Sequence, residues 1–582
     1  MTAVRHKSSV AGRFFCRLRQ NGNAAGGQSV SKKKFPDSRL LSDHTPLSRR
    51  DLIGSGLGLA ALGAGRANAA GSQDRVIEQT TPRAPFNNFR DYLSALEANG
   101  LVVRIPRVDQ DAYEATALWH RFRDQHGMNG APTLVFEELR INGKWVRGPL
   151  IVNESGHLYA ECLAFGLEPV DEGPISKEPF ASYRKARDYL EGVVAANDGR
   201  YPSIAPVEVS ASAAPCREVI RTGDDVDLTV FPFIQCNPGD AGRYINTGMV
   251  FTRHPKYGTN FGTYRCHLRG PREIGLNTEP GQTGYTQLMS ARQRGEKVAR
   301  VSIALSPDPY LWMVSGNRLV NRREGPVDEI AVAGGLAGRP VEVVKSLTNE
   351  HLVPAHAEMI IEGEVPLDDR RPEGPYGEMA GYQGAYKEEQ FWMRVTAISH
   401  RRTPWIMNNF TGAQRGTLMA AGHALPLYAL KKEVPAVVDY FSDNRAVGVT
   451  FVSIRKTRPH QGLEIARRIA EKNYFAKIVV VVDEDLDVTS QQQMLAALGT
   501  RWQPAQTTHI YESMNGLPLD PSAVRRGRTS KIAIDATRQW PQEGGPKRFP
   551  PLNRALLESG APDALANVDR RWGELIRNWR VG

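Results

Sequence analysis

Glu373-Gly-Pro-Tyr-Gly-Glu378 sets two carboxylates five positions apart across a proline and two glycines. A tight turn of that composition can aim both acids at one point. Paired acids beside a cation are equipment for moving protons, because unequal surroundings push their pKa values apart: one donates while the other stays ionised. Exposed turns also carry Glu without any chemistry, so the hexapeptide needs partners. Asn260-Phe-Gly-Thr-Tyr-Arg265 supplies one. Alternation along a strand puts Thr263 and Arg265 on one face and leaves Asn260 at its entrance. An arginine there can hold a substrate carboxylate by two parallel hydrogen bonds and keep a nearby glutamate ionised. Alone, Arg265 reads as an ion-paired surface residue; with Glu373 and Glu378 it makes a proton-transfer triad. His356, in Val353-Pro-Ala-His-Ala-Glu358, is a candidate general base or a satisfied structural histidine.

Other chemistries lack their motifs. The chain has no Gly-x-x-x-x-Gly-Lys-Ser/Thr, no His-Glu-x-x-His and no Gly-x-Ser-x-Gly, which removes the common nucleotide-hydrolase, zincin and serine-esterase signatures. Gly54-x-Gly56-x-Gly58 has dinucleotide-loop spacing but no strand before it. Five cysteines show no Cys-x-x-Cys and no zinc spacing; with Cys16 in the leader, Cys162, Cys216, Cys236 and Cys266 remain as buried thiols or a disulfide.

The elements that must position the triad follow from periodicity. Asn88 to Asn99 reads as an amphipathic helix and Leu101 to Ile105 as a strand. Between Val219 and His400 the pattern turns to strands: Thr247–Thr252, Asn260–Leu268, Val298–Leu305, Val341–Val344, Glu358–Ile361 and Phe391–Ile398. Such a run suggests a barrel or sandwich with crossover helices. A connecting helix is expected around Gly416–Lys432, interrupted or kinked at Pro426. A second α/β unit follows, with strands Ala446–Ile454 and Ala476–Val482 and helices His460–Lys472 and Ser490–Leu498. The acids after its second strand, Asp483 to Asp487, read as a solvated strand end more than a metal site.

The 582 residues suffice for two or three domains, and 41% hydrophobic with 24% charged residues is an ordinary globular composition. The net charge of +11 is unevenly placed. Residues 1 to 69 hold twelve Lys/Arg against three Asp/Glu, a surplus of nine that leaves the remainder near +2. Nucleic acid is therefore not an expected partner. Ser48-Arg49-Arg50-Asp51-Leu52-Ile53, a Gly/Ala-rich apolar run to Ala64 and Ala67-Asn68-Ala69 have the order of a twin-arginine export signal with its cleavage site. That run is too short to be a stable membrane span, so a periplasmic location is expected, or a cytoplasmic one if the signal is not used.

Taken together, Asn260-x4-Arg265, Glu329 within Gly325-Pro-Val-Asp-Glu329, Val353-Pro-Ala-His-Ala-Glu358, Glu373-Gly-Pro-Tyr-Gly-Glu378 with Gly381-Tyr382, and Leu498-Gly-Thr-Arg501 resemble, in order and spacing, the UbiD family over residues 86 to 540. The resemblance implies a reversible carboxy-lyase that decarboxylates an aromatic acid of the hydroxybenzoate type, or an α,β-unsaturated acid, through a covalent adduct with prenylated FMN. It implies Arg265, Glu373 and Glu378 as catalytic residues, with Glu378 the proton donor. Thr263, Arg265, Ser315, Lys472 and Arg501 would contact the cofactor. Asn260, Gln282 and Glu329 would hold a divalent metal, commonly manganese, with potassium as a second cation; Gln282 stands where the family often has His. The implied fold is α/β (α+β), a β-rich split-barrel-like cofactor domain joined by a helix to a smaller C-terminal α/β domain. The expected divisions are a signal peptide (1–70), a linker (71–86), the N-terminal α/β region with the cofactor domain (87–405), the connecting helix (406–433), an oligomerisation domain (434–540) and a tail (541–582). Expected partners are a flavin prenyltransferase as cofactor supplier and further copies of the chain, as a dimer or hexamer. A metal-dependent periplasmic hydrolase and a noncatalytic flavin-binding protein are the competing readings.

Overall fold

The computed structural model describes residues 81–171, 178–320 and 327–579. The paired arginines, the small-residue cleavage pattern, the Gly54 to Gly58 run and most of the 71–86 linker lie outside the described residues. Among the described residues no helix is long and apolar enough to cross a membrane.

The first helix, Phe89–Ala98, starts where Asn88 caps it by accepting from the Asp91 amide and buries Phe89, Tyr92, Leu93 and Leu96 on one face. Strands Val102–Asp109, Thr133–Ile141 and Lys144–Val152 follow, and the short strand Ile406–Asn408 completes their sheet from far along the chain.

The centre of the molecule is a closed barrel. Strands Met359–Pro366, Val298–Leu305, Tyr244–His254, Gly258–Leu268, Glu273–Leu276 and Lys387–His400 are hydrogen-bonded in that order. Lys387–His400 then pairs back onto Met359–Pro366, so the ring has no free edge. Every neighbouring pair is antiparallel. Period-two alternation sorts the Gly258–Leu268 strand: Tyr264, Cys266 and Leu268 join one apolar core with Ile274, Ile303, Ile361 and Met393, while Phe261 faces the other core. Thr263 and Arg265 share the parity of Phe261 and point away from the barrel interior.

Ala420–Glu433 is a helix with Pro426 inside it. It leads to a five-stranded sheet ordered Val437–Ser442, Val449–Ile454, Ile478–Asp483, Arg528–Asp535, Thr508–Asn515. Its three central strands are parallel, and the middle one, Ile478–Asp483, carries the near-continuous valines of a strand covered on both faces. Helices Asn553–Gly560 and Ala564–Asn578 close the described chain. Cys162, Cys216, Cys236 and Cys266 are free and buried, so the disulfide alternative falls away.

Candidate active site

Arg265 lies in the middle of the Gly258–Leu268 strand and projects to the barrel's outer face. Its Nε donates to Glu373 Oε1 at 3.0 Å and its Nη2 to Glu373 Oε2 at 2.8 Å, the bidentate fork that guanidinium and carboxylate geometry favours. Its Nη1 donates to Glu378 Oε1. All three side chains are nearly excluded from solvent, Glu373 completely. The Tyr376 ring lies 4.7 Å from the guanidinium carbon, and the Tyr244 hydroxyl donates to Glu373 Oε1 at 3.3 Å.

Local chain geometry explains how one guanidinium reaches both acids. Arg371–Glu373 is a short strand pairing with the start of Lys387–His400. The chain then folds into a tight hairpin in which Tyr376–Gly377 pairs with Gln383–Gly384, with Glu378 at the head of its loop. The Glu378 amide bonds the Tyr382 carbonyl at 2.8 Å and the Gly381 amide the Glu378 carbonyl at 2.9 Å. Gly384 must be small, since a Cβ there would sit 2.6 Å from Glu378 Cγ. Outside the hairpin, Asp240 accepts from the Gly377 amide at 2.8 Å and from Gln383 at 3.2 Å. The Tyr376 hydroxyl pairs with Thr411 at 2.9 Å, fastening the hairpin to the segment that leads out of the barrel.

The surroundings of Glu373 favour its ionised form. Burial alone would raise the Glu373 carboxyl, but the hydrogen bonds and charge of Arg265, then Lys387 and the Tyr244 hydroxyl, bring it below its ordinary value of 4.5. Arg265 is held above the ordinary arginine value: burial opposes its charge, and both glutamates outweigh that.

The remaining expected residues fall into three places. Thr263 and Ser315 meet, their hydroxyls 2.9 Å apart, on the face that carries Arg265. Asn260 is buried on the same strand, its side-chain nitrogen without a protein partner. Lys472 and Arg501 belong to the C-terminal sheet domain, where Lys472 pairs with Glu433 at 2.6 Å and Arg501 with Asp483 at 2.9 Å and Asp485 at 2.8 Å. Those bonds occupy the lysine expected at a phosphate and the arginine expected beside a cation. His356 is paired with Glu342 at 2.7 Å, away from the Arg265 cluster.

The expected metal site is overturned. Among the described residues no group of three or more His, Cys, Asp and Glu side chains could hold a metal ion. Asn260 and Gln282 are neutral amides, which leaves Glu329 as the single charged donor of the trio. Two of the three also have backbone work: Gln282 Oε1 accepts from the Glu279 amide at 2.7 Å and Glu329 Oε2 from the Phe261 amide at 3.0 Å. Hard divalent cations are bound by several charged oxygens, and this trio supplies one, so the divalent metal does not keep its place.

A prenylated flavin mononucleotide does find suitable groups. The facing Thr263 and Ser315 hydroxyls offer neutral hydrogen-bonding groups to a flavin edge on the face that carries Arg265; Asn260, of the opposite strand parity, keeps a buried side-chain nitrogen without a protein partner. Sequence reasoning missed Lys387 and Tyr244, which reach Glu373 from other strands, and Asp240 and Thr411, which hold the hairpin from loops; only Tyr376 lay inside a motif.

Comparison with known proteins bears on the fold that carries this site. The 3-octaprenyl-4-hydroxybenzoate carboxy-lyase Rift-related domain matches residues 207–414, and the C-terminal domain of the same carboxy-lyase matches residues 416–536. The vanillic acid decarboxylase of Sedimentibacter hydroxybenzoicus, in its closed form, aligns over 85% of this chain and 99% of its own at 25% identity and a TM-score of 0.68. A UbiD-class enzyme from Pelotomaculum thermopropionicum, in complex with FMN, shares the fold over 82% of this chain and 99% of its own at 24% identity and a TM-score of 0.67. The 3,4-dihydroxybenzoic acid decarboxylase from Enterobacter cloacae does so over 82% and 99%, at 20% identity and 0.65. The two family domains abut and span the barrel, the connecting helix and the C-terminal sheet, with the arginine and both glutamates in the first of them: the chain belongs to the UbiD family of carboxy-lyases.

Proposed function

We propose that this protein is a prenylated-FMN-dependent decarboxylase of hydroxybenzoate-type aromatic acids. The observation that carries the reading is the buried Arg265 held bidentately by Glu373 and singly by Glu378, on the strand face that also presents Thr263 and Ser315. The substrate class follows from the vanillic acid and 3,4-dihydroxybenzoic acid decarboxylases among the structural relatives.

When bound, the cofactor supplies an electron sink for cleavage of the carbon–carbon bond. Thr263, Arg265 and Ser315 are the residues that would hold it. Arg265 orients the substrate carboxylate, and Glu373, fixed as an anion, holds Arg265 in that pose. As carbon dioxide leaves, Glu378 delivers the proton that replaces it. The surrounding tyrosine rings keep water out and strengthen these charges.

A flavin prenyltransferase supplies the cofactor inside the cell, and the leader then takes the loaded, folded chain to the periplasm by the twin-arginine route. Copies of the chain associate. The terminal helices leave Leu556, Leu557, Trp572, Leu575 and Ile576 exposed, a grouping of apolar side chains that marks an interaction surface, and a second copy covers it.

The deciding experiment is coexpression with a flavin prenyltransferase, an absorbance spectrum of the purified protein, and carbon dioxide release from a panel of hydroxybenzoic, cinnamic and simple unsaturated acids. Release from hydroxybenzoic acids by the loaded protein alone is expected. Release that persists without flavin, or a loaded protein inert toward every acid, would sink the proposal.

A further inference from the structure

One cation beside the triad has no role so far. Lys387 opens the long strand Lys387–His400 and stands directly opposite Glu373 in the strand pairing. Cross-strand neighbours of opposite charge attract at this distance, and the Lys387 ammonium lies 3.7 Å from Glu373 Oε2, the oxygen that also accepts from Arg265. Lys387 is mostly buried, so water screens the pair weakly.

The lysine is in turn fixed from behind. Its ammonium bonds Asn277 Oδ1 at 2.5 Å and pairs with Glu279. Glu279 Oε2 meets Arg526 at 2.6 Å, and Arg526 sits in the turn between the last two strands of the C-terminal sheet. A line of alternating charges therefore runs Glu378, Arg265, Glu373, Lys387, Glu279, Arg526, from the proton donor to the second domain.

Other groups around Glu373 cannot take over this role. Arg265 already serves both acids, Tyr244 is neutral and stacked on His267 at 4.8 Å between ring centres, burial depresses His267 below its ordinary value, and the buried Cys266 and Tyr376 are driven up, away from ionisation, chiefly by that burial. Lys387 is the second fixed positive charge on Glu373 besides Arg265.

We propose that Lys387 is a positioning residue for proton transfer: it keeps Glu373 an anion clamped on Arg265, and through Glu279 and Arg526 it ties that clamp to the C-terminal domain. The kinetic part rests on the decarboxylase reading above; the structural part does not.

The test uses the full-length, flavin-loaded protein with Lys387→Met, Lys387→Arg, Lys387→Gln and Arg526→Ala. Lys387→Met should lose about tenfold or more in kcat with KM changed by less than about twofold, and its acidic activity limb should move up by about one pH unit, the usual effect of removing an opposite charge at such range. Lys387→Arg should recover most of both. Arg526→Ala, half exposed, should lower kcat in the same direction by less; an unchanged kcat there severs the link to the C-terminal domain. Independently of turnover, infrared titration should reveal an additional protonated carboxyl in Lys387→Met relative to the parent at the same pH, and the added signal should vanish on adding Glu373→Gln. If Lys387→Met does not fold, Lys387→Gln, which keeps a donor for Asn277, is read identically. A folded, flavin-bound variant with the parent's pH limb and infrared titration overturns the proposal. A parent that releases no carbon dioxide instead counts against the decarboxylase reading, while the infrared result still decides the role of Lys387.

Discussion

Arg265 is shared by two carboxylates that differ in how tightly they hold it, and the difference sets what each substitution should do. Glu378 makes one bond to the guanidinium from a hairpin loop; Glu378→Gln preserves shape and is expected to bind flavin normally while losing decarboxylation, measured by absorbance and carbon dioxide release. Undiminished turnover in that variant would remove Glu378 as the donor. Glu373 makes two bonds and is wholly buried, so Glu373→Gln weakens the partner of a buried guanidinium and should lower folding stability as well. Because the folded-state pKa of Glu373 is depressed, its stabilising contribution is fully present above the unfolded value near 4.5 and is lost as pH falls through the folded value; denaturation at stepped pH should show this slope in the parent and less of it in Glu373→Gln. The triad was legible in the sequence because strand alternation and a Gly/Pro turn are local signals. Lys387 was not, since its meaning comes from a strand pairing with Glu373 that no local pattern encodes. The expected metal trio failed for a related reason: residue type was compatible, yet two of its oxygens are engaged in bonds to neighbouring backbone.

The element that joins the two family domains is anchored by one buried acid. Glu161 accepts from Arg415 and, at 2.8 and 3.2 Å, from the amides of Met419 and Ala420 that open the connecting helix, where an anion also favours the helix dipole. Both charged side chains are almost fully buried. Glu161→Ala would strand a buried guanidinium and is expected to destabilise the protein by about 3–5 kcal/mol, read from urea unfolding; a loss under ~1 kcal/mol would show that water or another acid replaces it. The same segment holds Gly412 at φ +79°, where a Cβ would lie 2.3 Å from the Glu378 carbonyl. Gly412→Ala should therefore disturb the Glu378 hairpin from outside it, lowering kcat more than flavin binding. Strands such as Gly258–Leu268, Val298–Leu305 and Ile478–Asp483 were readable from their apolar pattern, whereas the eight-residue strands Thr508–Asn515 and Arg528–Asp535 were not named from it. The three-residue strand Ile406–Asn408, paired in parallel with Lys144–Val152, was not, because its reason to exist is a partner more than 250 positions away.

At the scale of the whole molecule the barrel and the C-terminal sheet share cores and ion pairs, whereas the terminal helices keep their apolar residues exposed. Removing residues 551–582 is expected to lower the assembly number measured by light scattering while leaving the barrel folded; an unchanged mass would put the contact between copies elsewhere. Export is tested by fractionation, with cleaved, flavin-loaded protein expected in the periplasm and uncleaved protein in the cytoplasm counting against it. The closed barrel could be anticipated only as a β-rich domain, since closure depends on the first and last strands of the ring meeting. The four free cysteines extend the picture in another direction. Each is buried and each thiol is pushed up, chiefly by burial, so none offers a reactive thiolate while the fold is intact. Two lie in the barrel core and two in the neighbouring core. They amount to built-in clocks: the rate at which an alkylating reagent labels each one reports how often that part of the molecule opens, with no engineered cysteine.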